Sequence, residues 1–507
     1  MKRREFIQAL TYTSLGGLLL PKAIAAQPNL DRWRDQFKKA LDSKPWLINL
    51  TGISQSLSTK KLIVKGRIPE ALSGQFYRNG PAQHEVAGQR YHHLFDADGM
   101  IQRFLIDGRA QTATHIGKFV NTQKRQLDLQ HNQISTATFG TALPQMQHTT
   151  HVDAINAANI SVRHHGGKLM ALWEAGSAYE IGPRDLETRG VIAWSQESKG
   201  LPFSAHPKID KDGSMWNFGA IGTFNGLIFY HLSSTGKLLK QHYITLPESR
   251  MVHDFMITEH HLIFVLSPFR FNRDLAESNN SVSYLDLHQW DAKQSNWLLI
   301  VDKDDLSHYR RFDLPASWSF HFGNAWEDKR WLYFDMCRYD DTSIMTDGLR
   351  NIMRGIDNAN QSANSVRVSV NTQTGQFKQE ILYKHIEFPV YDERFVGQNN
   401  RYTLSICNHD HQRLFGANRL VRIDLHQGQH IHYDYPKNEV IEEHIFVPNL
   451  QSDKELNGWF IGVSFDFERS ISKVNIFTNE RFTEGPDAVI ELPYVIPAGF
   501  HGTFVKH

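Results

Sequence analysis

The chain has 507 residues, of which 40% are hydrophobic and 21% are charged. This composition is typical of a globular protein with a large core, and it excludes an intrinsically disordered chain. The 55 basic and 54 acidic side chains nearly cancel. No overall field therefore attracts nucleic acid, and we expect a partner that is small or apolar, with no protein partner inferred.

The first residues have the pattern of a removable export signal. A positive start, "MKRREF", precedes an apolar stretch that is too short to span a bilayer and a small-x-small cleavage site ending at Ala25. The pair Arg3-Arg4 resembles a twin-arginine signal, although Lys2 stands where Ser or Thr is common. We predict a signal peptide over residues 1–25 and a periplasmic protein, with an ordinary secretory signal as the alternative.

After the signal comes the clearest helical stretch of the chain. Leu30, Trp33, Phe37 and Leu41 recur at helical spacing, which predicts an N-terminal helical segment over residues 26–45. No later apolar stretch is long enough to cross a membrane.

Beyond this segment the sequence indicates an all-β chain. Runs such as "KLIVKGRI", "HLIFVLSPF" and "RWLYFDMC" are rich in β-branched and aromatic residues and end at Gly, Asn, Asp or Pro. Because no long helices separate them, a sandwich, barrel or propeller is favoured over a parallel doubly wound sheet. Roughly 460 residues exceed one sandwich, so a propeller is somewhat favoured over two sandwiches, although no strict repeat is visible.

The two cysteines leave their pairing open. Cys337 and Cys407 both lie in strand-like runs. In an exported protein they could form a disulfide, but two buried free thiols fit the sequence equally well.

Four histidines lie in segments of similar character: "FSAHPKID", "VHDFMITE", "SFHFGNAWED" and "PAGFHGTF". They are tens to hundreds of residues apart, which excludes a zinc finger or an HExxH helix. Only a closed fold could bring them together, and the inner strands of a propeller all face one axis. Imidazole suits Fe, Cu and Zn, whereas a single histidine on an apolar strand is more often a core residue. The candidate ligands are His206, His253, His321 and His501.

Three carboxylates lie in apolar, strand-like surroundings where an unpaired charge would be costly. They are Glu174 in "ALWEAG", Glu387 in "HIEFPVYD" and Glu443 in "EEHIFVPN". Metal-bound histidines usually donate their other ring N–H to such a group, which fixes the ring orientation. We therefore expect each glutamate to have an imidazole partner.

With these residues in place, the chain resembles the carotenoid cleavage oxygenase family over nearly the whole mature protein. It looks like a bacterial, exported, apocarotenoid oxygenase-like member. The matching pieces, in order, are "LSGQFYRNGP", "HHLFDADGMI", "KLMALWEAG", "AHPKID", "VHDFMITE", "HFGNAWED", "EFPVYD", "HIFVP" and "PAGFHG".

The resemblance implies a seven-bladed β-propeller that forms a single catalytic domain over residues 46–507. It also implies a non-haem Fe(2+) on the propeller axis, held by the four histidines named above. Glu174, Glu387 and Glu443 would hydrogen-bond three of those histidines, with an orienting role and no acid–base role.

The reaction implied by the family is oxidative cleavage of a carbon–carbon double bond by O2, which yields two carbonyl products. Alternatives are a stilbene-cleaving oxygenase, a retinoid isomerase-type member, and a non-catalytic propeller that binds apolar ligands. Relatives that cleave phenolic stilbenes typically carry Lys just before the first of the three glutamates, and here that residue is Trp173. This difference favours a carotenoid or apocarotenoid, a lipophilic polyene that an exported protein could meet through peripheral membrane contact.

A polyene requires a hydrophobic tunnel. Trp173, Phe320 and Phe500 each immediately precede a predicted site residue, so we predict that they line this tunnel, with packing inside the blades as the alternative.

Some positions depart from the family or have a structural interpretation. The family often has Asn-Thr where this chain has Asn159-Ile160. We interpret the acidic turn "FDADGM" as structural. Histidines that occur in adjacent pairs are expected at the surface: His92, His93, His164, His165, His260 and His261.

Overall fold

The computed structural model describes residues 32–143, 146, 151–278, 282–357, 361–409, 413 and 415–506. The predicted signal peptide over residues 1–25 lies outside them. The first helix lies within the predicted helical segment, and its buried Phe37 ring packs under the guanidinium of Arg90 at 3.6 Å. The helices are α1 (Arg32–Leu41), α2 (Gln123–His131), α3 (Arg273–Ser278) and α4 (Leu349–Asn351), with single helical turns at Pro45–Leu50, Leu94–Asp96, Val152–Ala154, Gly222–Phe224, Leu285–Leu287, Ile344–Gly348, Ile352–Arg354, Glu393–Phe395 and Asn479–Glu484.

Strands form most of the regular structure, as the sequence predicts. The first half contains β1 (Leu57–Thr59), β2 (Ile63–Gly66), β3 (Ser73–Gln83), β4 (Glu85–Val86), β5 (Gln89–Arg90), β6 (Asp98–Asp107), β7 (Thr112–Phe119), β8 (Ser161–His165), β9 (Lys168–Leu172), β10 (Tyr179–Ile181), β11 (Thr188–Val191), β12 (Lys208–Ile209), β13 (Met215–Ile221), β14 (Gly226–Leu232), β15 (Leu238–Thr245), β16 (Met256–Ile257) and β17 (His261–Leu266).

The second half continues in the same way. It contains β18 (Phe269–Phe271), β19 (His288–Trp290), β20 (Asn296–Asp302), β21 (Tyr309–Leu314), β22 (Trp318–Asp328), β23 (Trp331–Tyr339), β24 (Asn364–Asn371), β25 (Phe377–Lys384), β26 (Ile386–Val390), β27 (Tyr402–Cys407), β28 (Arg419–Asp424), β29 (Gln429–Asp434), β30 (Glu439–Pro448), β31 (Gly458–Asp466), β32 (Ile471–Thr478), β33 (Ala488–Glu491) and β34 (His501–Lys506).

Seven antiparallel sheets of four or five strands form the blades of a β-propeller, which confirms the predicted fold class. Two of them combine strands from both ends of the chain, and this closes the ring. In order the blades are β1-β7-β6-β3-β34, β8 to β11, β12 to β15, β16-β17-β20-β21, β22 to β25, β26 to β29, and β30 to β33 with β2 at the edge. In the closing blade β34 pairs with β3, with His501 opposite Asn79.

Apolar side chains fill the spaces between neighbouring blades. Phe218 and Phe264, for example, pack edge to face at 5.2 Å between the third and fourth blades. The largest buried cluster includes Phe95, Trp173 and Phe320, with Phe500 packed against it. The core thus extends to the residues around the axis, where the predicted site lies.

Three inner strands are irregular at the residues of the predicted site. The pairing register shifts around His321 in β22, after Glu387 in β26 and before His444 in β30. A β-bulge bends its strand and turns a side chain to a new direction. The bulges therefore let adjacent residues of one strand point in different directions at the axis.

Two smaller features also bear on the predictions. Within the described part of the chain, none of the helices has the length and apolar character needed to span a bilayer. Cys337 and Cys407 are both buried free thiols.

Candidate metal centre

The four predicted histidines reach the propeller axis from four blades. His206 and His253 lie just before the short inner strands β12 and β16, and His321 lies inside β22. His501 begins β34, the last strand of the described chain. The backbone of the closed ring therefore brings together residues that are far apart in sequence.

The imidazoles form a compact cluster. The Nε2 atoms of His206 and His253 are 3.0 Å apart, and those of His321 and His501 are 3.1 Å apart. One ring nitrogen each of His206, His253 and His321 lies within 4.8 Å of the other two. The rings of His206 and His501 are 4.8 Å apart between centroids, which joins the two pairs into one group.

Each of the three predicted glutamates contacts a different imidazole. His321 Nδ1 donates to Glu387 Oε2 at 2.7 Å, and His501 Nδ1 donates to Glu443 Oε1 at 2.9 Å. His253 Nδ1 contacts the carboxylate of Glu174, which follows β9.

Backbone donors hold two of these carboxylates in turn. The Phe388 N–H donates to Glu387 Oε2 at 2.8 Å, and the Gly502 N–H donates to Glu443 Oε2 at 3.0 Å. Burial raises the pKa of Glu387 to about 7. The carboxylates are thus fixed groups that determine the orientation of the rings.

The environment favours neutral imidazoles. Burial and the neighbouring rings of the cluster hold the pKa of His206 and of His321 well below the usual 6.5. Because His321 and His501 donate from Nδ1, their Nε2 atoms carry lone pairs. These two lone pairs face each other across 3.1 Å, an arrangement that is repulsive unless a cation lies between them.

The nitrogen positions fit a bound metal ion. Two nitrogens that are each about 2.1 Å from one ion, at a right angle, lie about 3.0 Å from each other, and both Nε2 pairs match this value. Neutral imidazole is a ligand for Fe, Cu, Zn and Ni. The residues present can therefore hold a first-row transition metal, and the donor set does not select one ion.

An apolar cavity of about 190 Å³ opens on one side of the imidazoles. His253, His321 and His501 form part of its wall, and the aromatic rings of Phe95, Phe320 and Phe500 form another part. The Phe95 ring meets Phe320 at 6.1 Å and Phe500 at 5.4 Å, both edge to face. We call this space the apolar cavity.

A second space of about 420 Å³ also borders the imidazole cluster and shares His321 and His501 with the apolar cavity; we call it the axial cavity. Its wall includes His206, His321 and His501 together with charged side chains. These are paired: Arg163 contacts Glu393 at 2.7 Å, and Lys208 contacts Asp254 at 2.8 Å.

The predicted tunnel residues separate into two groups. Phe320 and Phe500 line the apolar cavity. Trp173, only 3% exposed, lines a different, small cavity of about 30 Å³ beside Glu174. This small cavity shares Phe95 and Ile160 with the wall of the apolar cavity, and the tunnel role of Trp173 stays a prediction.

Two aromatic residues of the site were not singled out from the sequence. Phe95 lines the apolar cavity but lies in the acidic turn that we interpret as structural. Phe388 lines both cavities, and its ring lies 4.7 Å from that of His321. It adopts φ = 55°, rare for a residue with a side chain. No sequence signal marks this conformation.

The acidic turn itself is held by buried hydrogen bonds and ion pairs. Asp98 contacts Lys124 at 2.8 Å and Arg125 at 3.0 Å, while Asp96 accepts from Thr141 Oγ1 at 2.5 Å. Asn159 Nδ2 donates to the Phe95 carbonyl at 2.9 Å. The turn thus supports Phe95 and does not reach the imidazoles.

The expectation that paired histidines lie at the surface is wrong for two of the six. His93 is buried, with Nε2 3.0 Å from the Met345 carbonyl and Nδ1 accepting from the Phe95 N–H. His165 is buried and bonds the Ser233 carbonyl at 2.8 Å. His164 and His165 lie on one strand, where adjacent side chains face opposite sides, whereas His93 caps the turn Leu94–Asp96.

Comparison with known sequences identifies several relatives. The chain is 26% identical to the isoeugenol monooxygenase of Pseudomonas nitroreducens, over 88% of this chain and 94% of that protein. It is 27% identical to carotenoid 9,10(9',10')-cleavage dioxygenase 1 of Phaseolus vulgaris, over 90% of this chain and 88% of that protein. It is also 27% identical to the apocarotenoid-15,15'-oxygenase of Synechocystis, over 87% and 92%.

Comparison with solved structures agrees with this result. A Glu-to-Asp variant of Synechocystis apocarotenoid oxygenase superposes with a TM-score of 0.85 at 25% identity, covering 92% of this chain and 99% of that one. The family model described as retinal pigment epithelial membrane protein matches residues 53–506. The chain therefore belongs to the family of the retinal pigment epithelial membrane protein and the carotenoid cleavage oxygenases.

Proposed function

We propose that this protein is an Fe(2+)-dependent dioxygenase that cleaves a carbon–carbon double bond of a carotenoid or apocarotenoid into two carbonyl products. The observation that carries the proposal is the cluster of imidazoles, three of them held by carboxylates, at the wall of a cavity lined by phenylalanine. A binding module without catalysis would not need such a costly set of buried polar groups next to an apolar space.

Iron in this site would supply the binding and activation of O2 beside the alkene. His206, His253, His321 and His501 would hold it through Nε2. The three glutamates keep the Nδ1 protons on the far side of the rings, so that the Nε2 lone pairs remain free.

The phenylalanine rings determine where the substrate lies. Phe320 packs edge to face on His253 at 5.1 Å, and Phe95 packs on both Phe320 and Phe500. Such a wall excludes water and offers a flat apolar molecule close contact beside the imidazoles. No side chain is needed to move a proton in this account.

We prefer a polyene as the substrate because of the residue that immediately precedes Glu174. Relatives that cleave phenolic stilbenes resemble one another in a Lys at that place, which can bind a phenol oxygen. Here the residue is Trp173, which is buried in the core and carries no charge. The structure thus offers no ammonium group at this position.

An alkenylphenol is the second candidate substrate. It is favoured by the 26% identity with a protein named isoeugenol monooxygenase, which covers 88% of this chain. A retinoid isomerase-type reaction would give no shortened products, so product analysis separates all three.

The test uses anaerobically purified protein loaded with ferrous iron and then exposed to oxygen with a β-apocarotenal or with 4-hydroxystilbene. Two shorter carbonyl products from the polyene, identified by mass, would support the proposal. Cleavage of the stilbene alone would favour a phenolic alkene over a polyene as the substrate class. A product with the mass of the starting polyene but a new double-bond geometry would indicate the isomerase.

We also propose that the protein is exported to the periplasm by its twin-arginine-like signal and contacts a membrane peripherally, where a lipophilic polyene is found. Supporting this is the sequence of residues 1–25. Replacing both Arg3 and Arg4 by Lys should retain the protein in the cytoplasm, as measured by cell fractionation, and flotation with liposomes should recover the exported protein. Unchanged export of the double variant would leave the ordinary secretory signal.

A further inference from the structure

One of the four clustered imidazoles lacks the carboxylate partner that the others have. Three rings each contact a glutamate, and such partners determine the orientation of a ring. Within the described chain, no carboxylate contacts the ring of His206; its backbone N–H donates to Ser204 Oγ at 3.1 Å, and its Nε2 faces that of His253. The position of His206 therefore depends on how its chain segment is held.

That segment is joined to its neighbour by a buried ion pair. Lys208 lies two residues after His206, in β12, and its Nζ is 2.8 Å from Asp254 Oδ1. Asp254 directly follows His253 in the chain and is 2% exposed, and both charged residues line the axial cavity. The pair thus connects the segments of two candidate ligands across the boundary between the third and fourth blades.

The same carboxylate also contacts the fifth blade. Asp254 Oδ2 accepts the N–H of Phe322 at 3.2 Å, and Phe322 directly follows His321 in β22. This bond lies where the pairing register of β22 shifts, between Ser319 and Phe322. Asp254 Oδ1 also accepts the N–H of Phe255 at 2.7 Å. One short side chain therefore contacts the segments that carry three of the four imidazoles.

The energetics of burial couple these three segments. A buried carboxylate is stable only while its donors are in place, because an uncompensated charge is costly in the interior. Hydrogen bonds to an ionised group are also stronger than those between neutral groups. Movement of any one segment would remove a donor from Asp254, so the carboxylate resists a change in their relative positions.

We propose that Asp254 is a positioning residue of the metal centre, which sets the positions of His206, His253 and His321 relative to one another. Together with Lys208 it fulfils for His206 the orienting role that a glutamate has for each of the other rings. It acts through Lys208 and the backbone of its neighbours, and not as a ligand. The inference rests on the proposed function in one respect, that the imidazoles hold a metal ion, and it is independent of the substrate.

An effect of charge alone would differ from an effect of position. A nearby carboxylate attracts a dication, and a nearby ammonium group repels it. If the pair acted through its charges, loss of the Asp254 charge would weaken metal binding and loss of the Lys208 charge would strengthen it. If the pair acts through position, both losses weaken metal binding. The sign of the Lys208 effect therefore separates the two explanations.

The experiment titrates the metal-free protein with Co2+, an ion of the same first-row series as iron, and follows its visible absorption, which depends on coordination geometry. Asp254→Asn keeps the size of the side chain and removes its charge, and Lys208→Met removes the ammonium group. We expect the Kd for Co2+ to rise about 10- to 100-fold in Asp254→Asn and about 10-fold in Lys208→Met, the range found for groups that orient metal ligands. The absorption spectrum of the bound ion should change in both variants.

The matched control is Lys473→Met. Lys473 also forms a buried ion pair, 2.7 Å from Glu439 and 2.9 Å from Asp466, but it lies outside the walls of both cavities. This variant should keep the Kd and the spectrum of the unaltered protein, and thermal unfolding should show that each variant is folded. If Asp254→Asn does not fold, the sign of the change in Lys208→Met still decides.

The outcomes separate this inference from the proposed function. Unchanged or tighter Co2+ binding in Lys208→Met, or unchanged binding in a folded Asp254→Asn, would overturn the inference alone. Weaker binding in both variants, combined with no cleavage of a polyene by the iron-loaded unaltered protein, would contradict the proposed function and leave the inference standing. No Co2+ binding by the unaltered protein would overturn both.

Discussion

The two cavities that meet at the imidazoles differ in what lines them. On one side Phe95, Phe320 and Phe500 form an aromatic wall. On the other side the axial cavity is bordered by ion pairs such as Arg163 with Glu393. An apolar alkene is stabilised on the first side and water on the second. The imidazole cluster thus lies at a boundary between an aromatic cavity and a charged one.

Phe388 is the residue at this boundary, since its ring lines both cavities and packs against His321 and His501. The bulge after Glu387 and the positive φ of Phe388 place the ring there. The difference between the cavities therefore depends on an irregular strand at the axis, and the following predictions test it.

The largest effect is expected from the imidazoles that both cavities share. His321→Ala removes one of the candidate metal ligands and leaves the Glu387 carboxylate without its imidazole. We expect iron bound per chain, measured by elemental analysis, to fall from about one to near zero. His165→Ala, which removes a buried imidazole outside the cluster, is the matched control. Full iron content in the first variant would exclude His321 as a ligand.

The next effect concerns the carboxylates behind the rings. Glu387→Gln and Glu443→Gln keep the size of the side chain but weaken the acceptor of the Nδ1 proton. We expect a loss of about 10- to 100-fold in metal affinity or activity, the usual cost of removing such a partner, with an unchanged circular dichroism spectrum. A metal affinity equal to that of the unaltered protein would show that the carboxylate does not orient the ring.

A smaller effect should distinguish the two cavities directly. Phe500→Asn places a polar amide in the aromatic wall, and we expect the KM for an apocarotenal to rise about 10-fold because one buried aromatic contact is lost. Arg163→Gln alters only the axial side and should leave that KM unchanged. If Arg163→Gln raised KM as much as Phe500→Asn, the substrate would enter from the axial side.

The smallest effect is a pH dependence of the free energy of unfolding, caused by His93, whose ring packs against Phe95. Burial lowers the pKa of His93 to about 3, and its Nδ1 already accepts from the Phe95 N–H. The unfolded chain, with a pKa near 6.5, binds a proton that the folded chain rejects. The free energy of unfolding should therefore fall by about 1 kcal/mol per pH unit below pH 6.5 on account of this residue.

The check is urea unfolding between pH 7.5 and 4.5. His93→Asn keeps an acceptor for the Phe95 N–H but cannot be protonated, so its unfolding free energy should depend less steeply on pH. An identical slope in both proteins would mean that His93 does not contribute.

Much of the site could be predicted because its chemistry requires particular residue types. A buried carboxylate such as Glu443 needs a partner, and histidines such as His501 in apolar strands offer one. The blade number, by contrast, came from the resemblance to a family, since no strict repeat is visible in the chain. The closing of the ring by β34 and β2 explains how residues near both ends share one axis.

The apolar wall was harder to predict, for physical reasons. Hydrophobic side chains satisfy a blade interface and a ligand cavity equally well, so Trp173 and Phe320 could not be told apart by type. Bulges decide which side chain faces the axis, and no sequence rule gives their position.

The central claim is tested most directly by a single turnover of the iron-loaded protein with an apocarotenal under 18O2. The carbonyl products are reduced at once to alcohols, so that exchange with water cannot remove the label, and both are weighed by mass spectrometry. Incorporation of one 18O atom into each of the two fragments is the result that the account predicts. Label in only one fragment, or an intact polyene without label, would contradict dioxygenase cleavage at this site.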